Sequence, residues 1–176
     1  MDRKASMRLV VDASIASTVH PTGKCRHFLD GMLRICHRAV FTQETRRDWR
    51  NHAMPIATKW LRSMHAKKKI DKIAPGELLP HTGLRNKISG CAASRKDRDA
   101  MMKDVHLIEL ALAMDSIIVS RDDTARGLFS GASKTVGEIR KVIWINPVEE
   151  VDPCSWLEKG ASAEDRRMLG KLGEST

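Results

Sequence analysis

The sequence predicts an α/β domain whose parallel sheet is wrapped by helices on both faces. Short runs of branched and aromatic residues alternate with longer stretches of helical period, the signature of parallel strands joined by helices. The length of 176 residues and a hydrophobic content of 41% suit one core-forming domain. No internal repeat, low-complexity tract or apolar run of membrane-spanning length interrupts the pattern. The expected organisation is a domain over residues 7–150, with a basic excursion at about 67–96, and a partly helical extension over 151–176.

Along the chain, Leu9-Val10-Val11 reads as a short buried strand that ends in Asp12, and Ser14 can cap a short helix after it. From Lys24 to Arg38, Phe28, Met32 and Ile35 recur at helical spacing. Ala39-Val40-Phe41 is a second strand. Thr42 then serves as an N-cap for a helix running past Trp49, broken by Pro55 and resumed to about Met64. Residues 67–96 hold a lysine run, Pro75-Gly76, Pro80, Gly83 and Gly90, and read as an irregular excursion with short elements. A helix over 98–114 leads through Asp115-Ser116 to the strand Ile117-Ile118-Val119. A short helix over 123–130, a last strand Val142–Ile145 and a C-terminal helix over about 161–171 follow, with a frayed tail.

The start Met1-Asp2-Arg3-Lys4 leads to an apolar run cut at once by Asp12, so no secretory signal is expected. Cys25, Cys36, Cys91 and Cys154 have no paired spacing and read as reduced thiols, which implies a cytoplasmic protein. The net charge is +9, and it is concentrated: residues 46–103 carry +10 while residues 104–176 carry −4. Such a surface attracts polyanions, nucleic acid first and anionic membrane second. The run Lys67-Lys68-Lys69 is its densest part and is expected to contribute substrate affinity.

Within this basic chain, acids stand where ligands bind. In parallel sheets the crevice lies at the carboxyl ends of the strands. Asp12 ends the first strand, and Ser120-Arg121-Asp122-Asp123 follows the strand at 117–119. Each has an ordinary explanation as a helix cap. Asp104 is less easily explained. On a wheel of about 100° per residue, Ala111, Ile108 and Ala100 fall within about 40° of it, while Glu109, His106, Asp99 and Lys103 lie on the far side. A carboxylate in the apolar arc must pair with a base or face a cavity that holds a cation. Glu44 and Asp48, one turn apart after the second strand, complete the set. Clustered carboxylates repel unless cations fill them, and hard oxygen donors suit Mg²⁺ or Mn²⁺. An acidic metal pocket in a basic protein points to an enzyme acting on phosphodiesters.

These residues resemble the PIN domain family of metal-dependent nucleases, which includes toxin ribonucleases of toxin–antitoxin modules. Leu9-Val10-Val11-Asp12-Ala13-Ser14 resembles the family's opening strand with its Asp-x-Asn or Asp-x-Ser. The stretch from Lys103 to Ala111 resembles its late helix, and Ile118-Val119-Ser120-Arg121-Asp122 its strand ending in Thr/Ser-x-Asp. The second family acid lies six residues after a Ser or Thr closing strand two. Here Thr42 leads to Asp48, an Asp where Glu is usual, with Glu44 as the alternative.

The resemblance implies a three-layer α/β/α sandwich with a parallel sheet of about five strands, and hydrolysis of single-stranded RNA. It implies that Asp12, Asp48, Asp104 and Asp122 are the catalytic residues and hold Mg²⁺ or Mn²⁺. Ser14 and Ser120 would orient the carboxylates, and Asp123 would be an extra ligand or a helix cap. Partners under this reading are single-stranded RNA, an antitoxin protein and a second copy of the chain, with no membrane. Two further readings share the pattern: an inactive PIN domain that binds nucleic acid or a partner, and a DNA-directed nuclease.

Other chemistries lack their motifs. There is no Walker sequence and no Gly-x-Gly-x-x-Gly. A haloacid-dehalogenase-like phosphatase needs a second Asp where Ser14 stands, and a receiver domain needs paired acids at the first strand. The seven His form no zinc-ligand spacing with Cys. The four Trp, without a single Tyr, read as packing rather than as a base-stacking platform.

Overall fold

The computed structural model describes residues 5–172 apart from Val19, Pro21 and the side chain of Asp165. The start Met1–Lys4 and the end of the tail lie outside the described residues. Five short strands, β1 (Arg8–Val11), β2 (Arg38–Phe41), β3 (Ile70–Lys72), β4 (Ile117–Val119) and β5 (Ile143–Ile145), form one all-parallel sheet in the order β3-β2-β1-β4-β5. Side chains alternate across a strand, and here both faces are apolar. Leu9, Val11, Ala39, Phe41, Ile117, Val119, Ile143 and Ile145 enter one core. Val10, Val40, Ile118 and Trp144 enter the other.

Helices cover both faces, giving a three-layer α/β/α sandwich. On the first lie α1 (Ala13–Ser17), α2 (Lys24–Arg34), α3 (Gln43–His52) and α4 (Pro55–Ala66). On the second lie α5 (Thr82–Gly90), α6 (Arg95–Leu112) and α7 (Asp123–Ser133). Thr42 caps α3 in a reciprocal capping box with Thr45, and Pro55 opens α4 at its first position, where the missing N–H costs nothing. Trp49 and Trp60 are buried, their indole N–H groups donating to the carbonyls of Val11 and Leu29 at 2.7 Å each. The first of these pins α3 to the end of β1. Among the described residues no helix is long and apolar enough to cross a membrane.

Three segments depart from expectation. The basic excursion contains a sheet strand, β3, whose Asp71 takes a bidentate hydrogen bond from Arg38 of β2, and a full helix, α5. The expected helix at 161–171 is absent. Instead α8 (Pro153–Glu158) packs Trp156 and Leu157 into the first core, and 3₁₀ turns at 165–167 and 169–171 follow. The backbone there is claimed by the sheet: Leu169 N–H donates to Val142 O, and Met168 bridges Ile143. Finally, Lys67 and Lys68 lie at the turn entering β3, on the amino edge of the sheet and opposite the strand-end acids. Lys69 turns inward, its ammonium donating to the carbonyls of Met32 and Ile35 at the end of α2.

Candidate metal centre

The strand order reverses between β1 and β4, and ligands of open parallel sheets bind at this switch point. Val11 pairs with Val119, so the next residues, Asp12 and Ser120, emerge side by side from the carboxyl edge. The Ser120 hydroxyl, fully buried, donates to Asp12 Oδ2 at 2.8 Å and accepts the Asp122 N–H at 3.0 Å. With that proton committed, the Ser14 hydroxyl donates to Ser120 Oγ at 3.2 Å and accepts the Arg121 N–H at 2.9 Å. Asp12 caps α1 by taking the Ser14 N–H on the same Oδ2, and Asp122 caps α7 by taking the Ala125 N–H on Oδ1 at 2.8 Å. Each carboxylate therefore has one oxygen held by the fold. Among the described residues, Asp12 Oδ1 and Asp122 Oδ2 have no hydrogen-bond partner and remain available.

Asp104 comes from α6, which packs across β1 and β4. Its neighbours on the helix, Met101, Val105 and Ile108, enter the second core and fix the helix rotation. The carboxylate is half-buried. Among the described residues it makes no hydrogen bond and no ion pair, so the buried base that could have explained it is not there. Burial, and then the negative charges of Asp12 and Asp122, push its pKa up to about 6, against the partial relief of Lys103 and His106. The three acids thus share one electrostatic site over the switch point. The donor chemistry is of the kind a hard cation takes: oxygen donors only, an unpartnered carboxylate, and two neighbours with a lone oxygen each. The three are not drawn into a tight cage. Among the described residues, the one group of three candidate ligand atoms all within 4.8 Å of one another is His27, Asp152 and Cys154, which includes none of these acids. That group has an ordinary explanation, because Asp152 caps α8 and Cys154 is buried against Gly31.

Asp48 and Glu44 lie on α3, and each approaches a base. Asp48, on the helix pinned to β1 by Trp49, approaches Arg47 Nε at 4.0 Å. Glu44 lies nearer α6, with Oε1 at 4.0 Å from His106 Nδ1. Asp123 accepts from Asn146 at 3.0 Å and pairs with Arg126, so it belongs to the β5 side rather than to the trio.

Two features were not visible in the sequence. Glu109, expected on the polar face of α6, is 7% exposed. It receives Arg85 through two hydrogen bonds of 2.7 Å and the His81 N–H at 2.8 Å, because α5 and the segment before it fold over that face. Burial works against its ionisation, but Arg85 and the His81 N–H outweigh it and hold the carboxyl below the usual glutamate range. The second is a cleft of about 490 Å³ between the start of α3, α6 and residues 73–80, into which Arg47, Arg50 and Arg85 project. Charge counting places bases in this region, but only the fold sorts them into a cleft at the carboxyl edge and lysines at the amino edge. Comparison of the chain with family models, with curated proteins and with solved structures finds no match.

Proposed function

We propose that the protein is a metal-dependent nuclease of the PIN type that hydrolyses phosphodiester bonds of single-stranded RNA. The observation that carries this reading is the half-buried, unpartnered carboxylate of Asp104 beside Asp12 and Asp122 at the switch point. Asp12, Asp104 and Asp122 would hold Mg²⁺ or Mn²⁺, with Asp48 or Glu44 reaching in from α3. The bound ion supplies an activated water and charge neutralisation at the phosphate. The chain's own residues do the rest. Ser120, supported by Ser14, holds the Asp12 carboxylate through Oδ2, leaving Oδ1 without a hydrogen bond among the described residues. The Asp122 cap aligns its second oxygen. Arg47 and Arg50 place positive charge along the cleft at the same edge of the sheet, where the phosphates of a strand would lie.

The absence of Asp12, Asp104 and Asp122 from any group of ligand atoms within 4.8 Å of one another among the described residues favours one alternative, a domain that binds nucleic acid without cutting it. A cleavage assay separates the two. A labelled single-stranded RNA incubated with the protein should be cut in Mn²⁺, remain intact in EDTA, and remain largely intact with Asp12→Asn. Equal cutting with EDTA or by the variant would sink the nuclease reading. Binding without cutting in Mn²⁺ would select the alternative.

A further inference from the structure

We infer that the cleft at the carboxyl ends of β2 and β3 is a subsite for one unpaired nucleotide of the substrate strand, and that this cleft selects single strands over duplex. The inference rests on the nucleic-acid reading above and deepens it. Its volume of about 490 Å³ falls in the range of pockets that enclose a small molecule, roughly 300–1,000 Å³. Its two sides have different chemistry. One side carries Arg47 and Arg50 from α3, with Glu44 of the same helix turned to His106 at 4.0 Å; the other is an apolar wall built by Ile73, Pro75, Leu78 and Pro80. A phosphate suits the first and the face of a base suits the second.

The charge is available for a ligand. Arg85 is neutralised by buried Glu109, whereas Arg50 has no ion pair among the described residues and Arg47 has only the 4.0 Å approach to Asp48. The wall is a fixed part of the molecule. Ile73 N–H donates to Phe41 O at one end, and His81 N–H donates to Glu109 at the other. His106 lines the cleft from the side of the helix turned away from Asp104, yet its charge acts on that carboxyl, so the cleft and the acids share the carboxyl edge of the sheet. A base held in a duplex is stacked and paired and cannot turn its face to such a wall, whereas an unstacked one can. The excursion at 73–80 therefore has a role: it makes the wall.

The test is binding in EDTA, where no cleavage intrudes. A fluorescein-labelled RNA octamer is titrated with the parent, with the double variant Arg47→Ala/Arg50→Ala, and with Lys67→Ala/Lys68→Ala as the amino-edge control, each checked for parental melting. The arginine variant should bind roughly tenfold more weakly, and its log–log salt slope should be shallower by about 1.4, two contacts of ~0.7 each. The lysine variant should match the parent, and an RNA duplex of the same sequence should compete at least tenfold less well than the single strand. An arginine variant within twofold of the parent, a lysine variant that loses as much, or a duplex that competes equally would overturn the inference. The two readings fail separately. A parent that shows the binding pattern but never cuts in Mn²⁺ loses only the nuclease activity. A parent that cuts, with an arginine variant that binds normally, loses only the subsite.

Discussion

Replacing Asp104 by Asn keeps the shape of the side chain and removes its charge, so it reports directly on what the charge costs. In the metal-free protein the carboxyl's pKa is raised from 3.8 to about 6 by burial and by Asp12 and Asp122. At neutral pH that rise corresponds to at most ~3 kcal/mol of destabilisation at about 1.36 kcal/mol per tenfold change. The group is only half-buried, and solvent screening brings the figure to ~1–2 kcal/mol. Below pH 3.8 the group is protonated in folded and unfolded chains alike and costs nothing; above about 6 it is ionised in both and the whole cost is present. The parent therefore loses this stability as pH rises from about 4 to about 6, and the variant does not. In EDTA at pH 7.5 the variant should melt about 3–6 °C above the parent, for a chain of this size, and the gap should shrink to about a third of that by pH 4.5. Added Mn²⁺ should raise the parent's melting temperature more than the variant's, because a ligand stabilises only in proportion to its affinity for the folded state. Melting curves at the two pH values, with EDTA and with Mn²⁺, give every number needed. A variant that melts below the parent in EDTA at pH 7.5, with an undiminished response to Mn²⁺, would show that Asp104 is structural and outside any metal site.

Other substitutions probe the frame around the site. Glu109→Gln strands Arg85 beside a buried amide; Arg85 is a third exposed and can hydrate in part, so chemical denaturation should show a loss near the low end for a broken pair, about 2 kcal/mol. Lys69→Ala removes two hydrogen bonds to the last carbonyls of α2 and should cost about 1 kcal/mol, while Lys67→Ala should lie within about 0.5 kcal/mol of the parent in the same denaturation series. Ser120→Ala releases Asp12 Oδ2 and should weaken Mn²⁺ binding about tenfold by calorimetry, with a stability cost near 1 kcal/mol. Gly31→Ala would bring a Cβ to 2.6 Å from Cys154 Sγ and 3.0 Å from Leu157 Cδ1; the overpacking should outweigh the helix-propensity gain and lower stability by about 1–2 kcal/mol in thermal melts.

The parts of this molecule that sequence reveals are those where one residue's chemistry decides its place. Leu9–Val11 and Ile117–Val119 are short branched runs apolar on both faces, as a buried parallel strand is, and their ends deliver Asp12 and Ser120 to one edge of the sheet. Asp104 is legible because a carboxylate inside an apolar arc has few resting places. β3 is illegible for the opposite reason: at the sheet's edge it needs only Ile70 as an apolar residue, and its Asp71 is satisfied by Arg38 across the ladder, a pairing no local pattern announces. Glu109 misled because a helical wheel assumes one buried face, and α5 supplies a second. Charge counting on the lysine run ignores edges; the topology puts Lys67 and Lys68 at the amino edge, roughly 10 Å or more from the acids at ~3.3 Å per strand residue. The place of Asp48 depends on the rotation of α3, which Trp49 sets through its bond to Val11, and sequence spacing carries no record of that.

The most direct measurement of the central claim is Mn²⁺ binding followed by electron paramagnetic resonance, which counts free Mn²⁺ as the ion is titrated into the protein. The arrangement of Asp12, Asp104 and Asp122 predicts that the parent takes up at least one Mn²⁺, that Mg²⁺ competes for it, and that Asp12→Asn, Asp104→Asn and Asp122→Asn each weaken the uptake about tenfold or more while the fold survives. A parent that leaves all Mn²⁺ free at millimolar concentration, or three variants that bind as the parent does, would contradict the account.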